Sequence, residues 1–241
     1  MVIIGADQPN PIAAGEAIRT GDVETLQRLL KDNPGLATAR IGDEAMSRTL
    51  LHVATDWPGH FPNGVASVAV LVQAGADVNS RFVGSHAETP LHWAASSDDV
   101  EVLDALLDAG ADVEAPGAVL GGGSPLADAV GFGQWQAARR LVERGARTRL
   151  KDAAALGLTD RVEQALAEDP VPDSEEVTAA LWFACHGGQR SSAELLLDCG
   201  ADIDWIGWDG LTPLDVARHG EAHELAEWLM GRGAHSASEI G

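Results

Sequence analysis

The chain has 241 residues, 45% of them hydrophobic, which suits one compact domain or a repeat array with a sizeable core and excludes a disordered acidic tail. With 16 Lys+Arg against 37 Asp+Glu the formal net charge is −21, a surface that repels phosphodiester backbones and anionic lipid heads, so neither nucleic acid nor a membrane is expected as a partner. Cys185 and Cys199 are too few for a disulfide framework and lack metal-ligand spacing, no basic segment precedes the short apolar start, and no long apolar run follows; the expectation is a cytoplasmic protein with free thiols, no metal and no cofactor.

In chain order, Ile12 to Pro34 comes first, with Ala17, Gly21 and the Leu26/Leu29/Leu30 spacing of a helix pair. Thr49-Leu-Leu-His52, Thr89-Pro-Leu-His92, Ser124-Pro-Leu126 and Thr212-Pro-Leu214 then recur in register. Each is followed by a leucine-rich helical pattern that closes on Gly-Ala, at Gly75, Gly110, Gly145 and Gly233. A capping hydroxyl ahead of a proline starts the first helix, and a glycine that tolerates the left-handed conformation ends the second. Two degenerate units complete the series, Thr148-Arg-Leu-Lys-Asp152-Ala-Ala154 through Pro170 and Ala179-Ala-Leu-Trp182 through Gly200-Ala201. The expected units are 11–35, 49–79, 89–114, 124–147, 148–170, 179–204 and 212–235 of one domain spanning 1–241.

These motifs resemble the T-P-L-H-x-A signature of the ankyrin-repeat family, with its period of a turn plus two helices. The resemblance runs over nearly the whole chain and implies an all-α solenoid of about seven helix-pair repeats with capping end repeats. It further implies a protein partner held in a concave groove lined by the first helices and edged by the connecting fingers. Two spacings depart from the family period, 40 from Thr49 to Thr89 and 24 from Ser124 to Thr148. The long one holds an insertion, Asp56 to Gly64; the short one removes almost the whole finger at Gly145-Ala-Arg147.

His52 and His92 fall at the fourth signature position, where the resemblance implies a stitching role between repeats. The groove positions that it implies include Trp57, Trp93, Asp128, Phe132, Asp152, Phe183 and His186. Asp128 and Asp152 stand there at equivalent positions of adjacent repeats, so mutual repulsion would raise one pKa and leave an acid and a base. On this reading they form a catalytic or small-molecule site, with His186 as a further proton carrier and Trp93, Phe132 and Phe183 as apolar walls; otherwise both are solvated groove residues. Trp135 and Trp228 have core spacing and Trp182 reads as packing, whereas Trp57, Trp93, Trp205 and Trp208 are expected to anchor a partner. Among the clustered Arg139, Arg140, Arg144, Arg147 and Arg149, the last two lie in the truncated connection and are candidates to reach a carboxylate or phosphate. Gly121-Gly-Gly123 lacks the context of a phosphate loop and reads as a fingertip, and Cys185 as an inert buried thiol.

Overall fold

In a computed structural model of the chain, residues 2–240 are described. The helices follow one another in pairs: α1 (Pro9–Thr20) with α2 (Val23–Asp32), α3 (Leu50–Ala54) with α4 (Gly64–Gln73), α5 (Pro90–Ser96) with α6 (Val100–Asp108), and α7 (Pro125–Gly131) with α8 (Trp135–Glu143). The series continues with α9 (Leu150–Leu156) and α10 (Thr159–Leu166), α11 (Ser174–His186) and α12 (Arg190–Asp198), α13 (Pro213–His219) and α14 (His223–Gly231), and ends on the short α15 (Ala237–Ile240). The architecture is not purely helical. Strands β1 (Ile3–Ile4), β2 (Arg40–Gly42) and β3 (Ser47–Arg48) form a small sheet in that order, β1 parallel to β2 and β2 antiparallel to β3, and a bridge joins Ser47 to Val83 of the next finger. The chain divides into two compact units, Met1–Ala146 and Arg147–Gly241.

Local chemistry sets the helix ends. Thr49, Thr89 and Thr212 cap α3, α5 and α13 through capping boxes, and Pro90, Pro125 and Pro213 supply a preset φ where a missing N–H costs nothing. In every pair but α3–α4 a left-handed residue follows the first helix within two residues, before the chain turns into the second. Asp98 takes that place after α5 at φ 55°, and its carboxylate accepts from the Ala137 N–H at 2.7 Å and the Gln136 side chain at 3.2 Å, so it caps the second helix of the next pair.

In the first unit, Leu51, Leu91 and Leu126 of the first helices and Leu71, Leu106 and Leu141 of the second are fully buried and form the core. Burial of each such side chain contributes about 1.5–3 kcal/mol. Outside the core, α8 is tied to α6 by Arg140–Asp104 at 2.6 Å, Arg144–Asp104 at 2.7 Å and Arg144–Asp108 at 2.5 Å, which accounts for part of the arginine cluster. In the second unit Leu181, Leu196, Leu214 and Leu229 play the core role. Here α11 begins at Ser174, ahead of the expected start at Ala179, because Asp173 caps it by accepting the Glu176 N–H at 2.8 Å. Trp135 and Trp228 are half-buried rather than core. The ring of Trp228 is covered by the guanidinium groups of Arg190 and Arg232, 5.2 and 4.9 Å from its centroid. Cys185 is buried and Cys199 exposed, and both are free thiols; burial pushes the Cys185 thiol well above its ordinary range, which keeps it inert.

Candidate functional site

Three residues beyond the capping position of a first helix, the side chain serves the backbone. His52 Nδ1 accepts from the Thr49 N–H at 3.3 Å and lies 2.9 Å from the Thr49 hydroxyl; its Nε2–H is then donated to the Glu88 carbonyl at 3.2 Å. His92 repeats the pattern with the Thr89 N–H at 3.1 Å and the Gly123 carbonyl at 3.3 Å. Both acceptors directly precede the next signature, so each ring stitches one repeat to its neighbour. Burial holds both rings neutral, His52 at about 3 and His92 at about 4, with the carbonyl hydrogen bond offsetting part of that shift. Trp182 makes the corresponding reach in the second unit by donating its indole N–H to the Leu211 carbonyl at 3.0 Å.

Asp152 belongs to this same structural set, and its expected equivalence to Asp128 does not hold. Arg149 rather than Thr148 caps α9, so Asp152 is the third residue of its helix whereas Asp128 is the fourth of α7. The Asp152 carboxylate accepts the Arg149 N–H at 2.9 Å, lies 3.5 Å from the Arg149 guanidinium, and is only 2% exposed. Its position matches that of Asp215, which accepts from the Thr212 N–H at 3.2 Å and the Thr212 hydroxyl at 2.9 Å.

Asp128 does sit beside a second carboxylate, and that carboxylate is Glu88. Asp128 is wholly buried, with Oδ1 accepting from the Leu120 N–H at 3.4 Å. Were both groups ionised, Asp128 Oδ2 would have no donor. Burial, then the hydrogen bond and charge of Glu88, push the Asp128 carboxyl up to about 8, which favours its protonated form at neutral pH. Glu88 accepts the Trp93 indole N–H at 2.9 Å, and His86 Nδ1 lies 2.6 Å from the same oxygen. His86 stacks on Phe82 with centroids 4.7 Å apart, and Phe82 and the His52 ring both pack against Trp93.

Above this pair opens a cleft of about 260 Å³ lined by Asp56, Trp57, His86, Glu88, Trp93 and Phe132 among others. Trp57 is 75% exposed and Phe132 48%, with Trp93 half-buried between the clefts. Trp93 also lines a larger cleft of about 730 Å³, whose walls include Ile12, Arg19, Met46, Arg48 and Phe82. The insertion that carries Trp57 is pinned at its middle and at its far end. The His60 N–H donates to Asp99 at 2.7 Å, His60 Nε2 lies 3.1 Å from the Ser97 carbonyl, and the Asn63 side chain donates to the Gly21 carbonyl at 2.9 Å.

The remaining candidates gather in the second unit. Phe183 is buried, so it is not an open wall; it packs against Trp182 and Trp208, and Trp205 packs edge-on to Trp208 at 5.3 Å. His186 lies half-buried at the end of α11, its ring 5.4 Å from that of Trp182. Arg147 and Arg149 line a separate cleft of about 620 Å³ with Arg161, Glu168 and Glu176, a lining of both charge signs. Among the described residues no group of three or more His, Cys, Asp or Glu is placed to hold a metal ion, and no helix is long and apolar enough to cross a membrane. Glu88 and His86 are the site residues that sequence reasoning missed; Glu88 stands immediately before the Thr89 signature.

A family model of ankyrin repeats, in three copies, matches residues 62–152. Over 104 residues, 39% of the chain, the sequence is 38% identical to protein fem-1 homolog A of Danio rerio. Over 225 residues, 90% of the chain, it is 27% identical to ankyrin repeat protein nuc-2 of Neurospora crassa. The matches span 15% and 17% of the lengths of those two proteins.

Proposed function

The chain is an ankyrin-repeat protein with a mostly helical solenoid fold, and from that premise we propose that it is an interaction module that holds a protein partner on the first-helix side of its first unit. The observation that carries this reading is the meeting of Trp57, Trp93 and Phe132 around one cleft, two of them exposed and all on a fixed frame. Exposed aromatic side chains cost little to order and dominate binding energies when a partner covers them. The fingertip aromatics Trp205 and Trp208 supply a second anchoring area in the other unit. An acid–base role for Asp128 and Asp152 lacks support, since both are buried, one against Glu88 and the other as a helix cap. The cytoplasm is the compartment we propose, in keeping with two unpaired cysteines.

Selection of peptides from a displayed random library against the whole chain tests the reading. Enriched peptides are expected to lose affinity about tenfold or more on Trp57→Ala or Trp93→Ala. Absence of any enriched peptide, or binding indifferent to both changes, would overturn it.

A further inference from the structure

We propose that the cleft over Glu88 receives the cationic end of a basic side chain, a lysine or arginine presented by the protein partner. The inference rests on the reading of the chain as an interaction module and names the chemistry of what it holds.

Size comes first. A cleft of about 260 Å³ lies below the ~300–1,000 Å³ of small-molecule sites and suits one side chain better than a whole ligand. Its lining carboxylates are Asp56, paired with Arg48 at 2.6 Å, and Glu88, beside His86, and no lysine or arginine lines it. The walls include the rings of Trp57, Trp93 and Phe132, and aromatic rings beside a carboxylate are the surroundings in which an ammonium or guanidinium is held by both charge and ring quadrupole. The chain already seats one cation in this manner from the neighbouring cleft. The Arg48 guanidinium lies 6.0 Å from the Trp93 ring centroid and 2.6 Å from Asp56. On the Glu88 side of the same ring no lysine or arginine is seated, only His86, 2.6 Å from the carboxylate, and a net charge of −21 draws basic segments toward it.

The Trp93 indole N–H donates to Glu88, so its proton resonance reports on that carboxylate directly. We would titrate the isotope-labelled chain with n-butylammonium, the end of a lysine side chain, and with 1-butanol and butyrate of similar shape. A saturable shift of the Trp93 signal is expected for butylammonium at concentrations about tenfold below any response to 1-butanol, as cation–π attraction next to a carboxylate gives. Glu88→Gln should weaken it about tenfold, and Trp57→Ala, at an exposed position that the fold does not need, by severalfold. An equal response to 1-butanol, or one untouched by both changes, would overturn the inference. In the second arm, each lysine or arginine of a library-selected peptide is replaced by norleucine or citrulline. Peptides that bind through Trp57 and Trp93 without needing a basic residue would sink the cation site while leaving the interaction module standing. A butylammonium shift with no enriched peptide would do the reverse.

Discussion

His52, His92 and Asp128 together make stability depend on pH with opposite signs. The two histidines are held at about 3 and about 4 by burial, so between there and the ordinary imidazole range near ~6.5 the unfolded chain binds protons that the folded chain does not. Their contribution is present above about pH 6.5 and is lost as pH falls through that window. For Asp128 the folded value is raised to about 8, so the folded chain binds the extra proton and its contribution is lost as pH rises toward 8. Below pH ~6.5 the two histidines outweigh the one carboxyl, and above it only the carboxyl acts, which places the stability maximum from these groups near pH 6.5. Asp128→Asn keeps a donor to Glu88 without the ionisation. It should gain on the parent as pH rises from ~4 to ~8.5, by about 1.4 kcal/mol for each unit by which the carboxyl is raised, and almost nothing near pH 4, read from urea unfolding at the two pH values. A parent whose stability rises steadily to pH ~9 would show that the pair is not coupled as described. The sequence pairs Asp128 with Asp152 and expects one raised pKa between them, whereas in the structure the carboxylate beside Asp128 is Glu88. Glu88 lies in a finger, where no period governs the path, and Asp152 was misplaced because α9 starts one residue later than its motif suggests.

At the level of elements, the insertion between α3 and α4 is a braced loop. Its brace converges on Asp99, which accepts the His60 N–H at 2.7 Å and the Val102 N–H at 3.3 Å, thereby capping α6 as well. Asp99→Ala removes a cap and leaves a part-buried N–H unpaired, for a loss of about 1–3 kcal/mol. Amide exchange should accelerate from Trp57 to Asn63, since the loop loses one of its three supports while His60 still reaches the Ser97 carbonyl and Asn63 the Gly21 carbonyl. Unchanged exchange there would mean that the loop is rigid for other reasons, and Trp57 would need another account of its placement. The presence of the insertion is plain from the spacing of 40 between Thr49 and Thr89. Its bracing is not, because the partners Gly21, Ser97 and Asp99 belong to the preceding and following helix pairs and bond through groups that any loop offers.

Across the whole molecule, the repeated words mark the helix pairs because most repeats solve the same burial problem with similar leucines, caps and terminating glycines, α9 and α10 with Arg149, Val162 and Ala167 being the departure. What repetition could not reveal is the small sheet formed by β1, β2 and β3, whose strands are too short to show alternation. The division into two compact units falls at Ala146–Arg147, within the truncated connection that the spacing of 24 had marked. The joints on either side of that division differ in what can undo them. In the first unit the rungs His52 to Glu88 and His92 to Gly123 are imidazoles, which mild acid protonates once the joint opens, so that falling pH favours the open form. In the second, the Trp182 to Leu211 rung is an indole, indifferent to pH, and Asp215 holds its pKa below the ordinary carboxylate range through the Ala237 and Thr212 backbone N–H groups. Limited proteolysis near pH ~5 should therefore nick the fingers at 79–88 and 114–123 before the finger at 202–211, while at neutral pH that order disappears. Acidity thus acts on this chain as a chronology, opening the histidine joints early and the tryptophan joint late, so that a degradation map made in acid would read out the choice of side chain at a single recurring position.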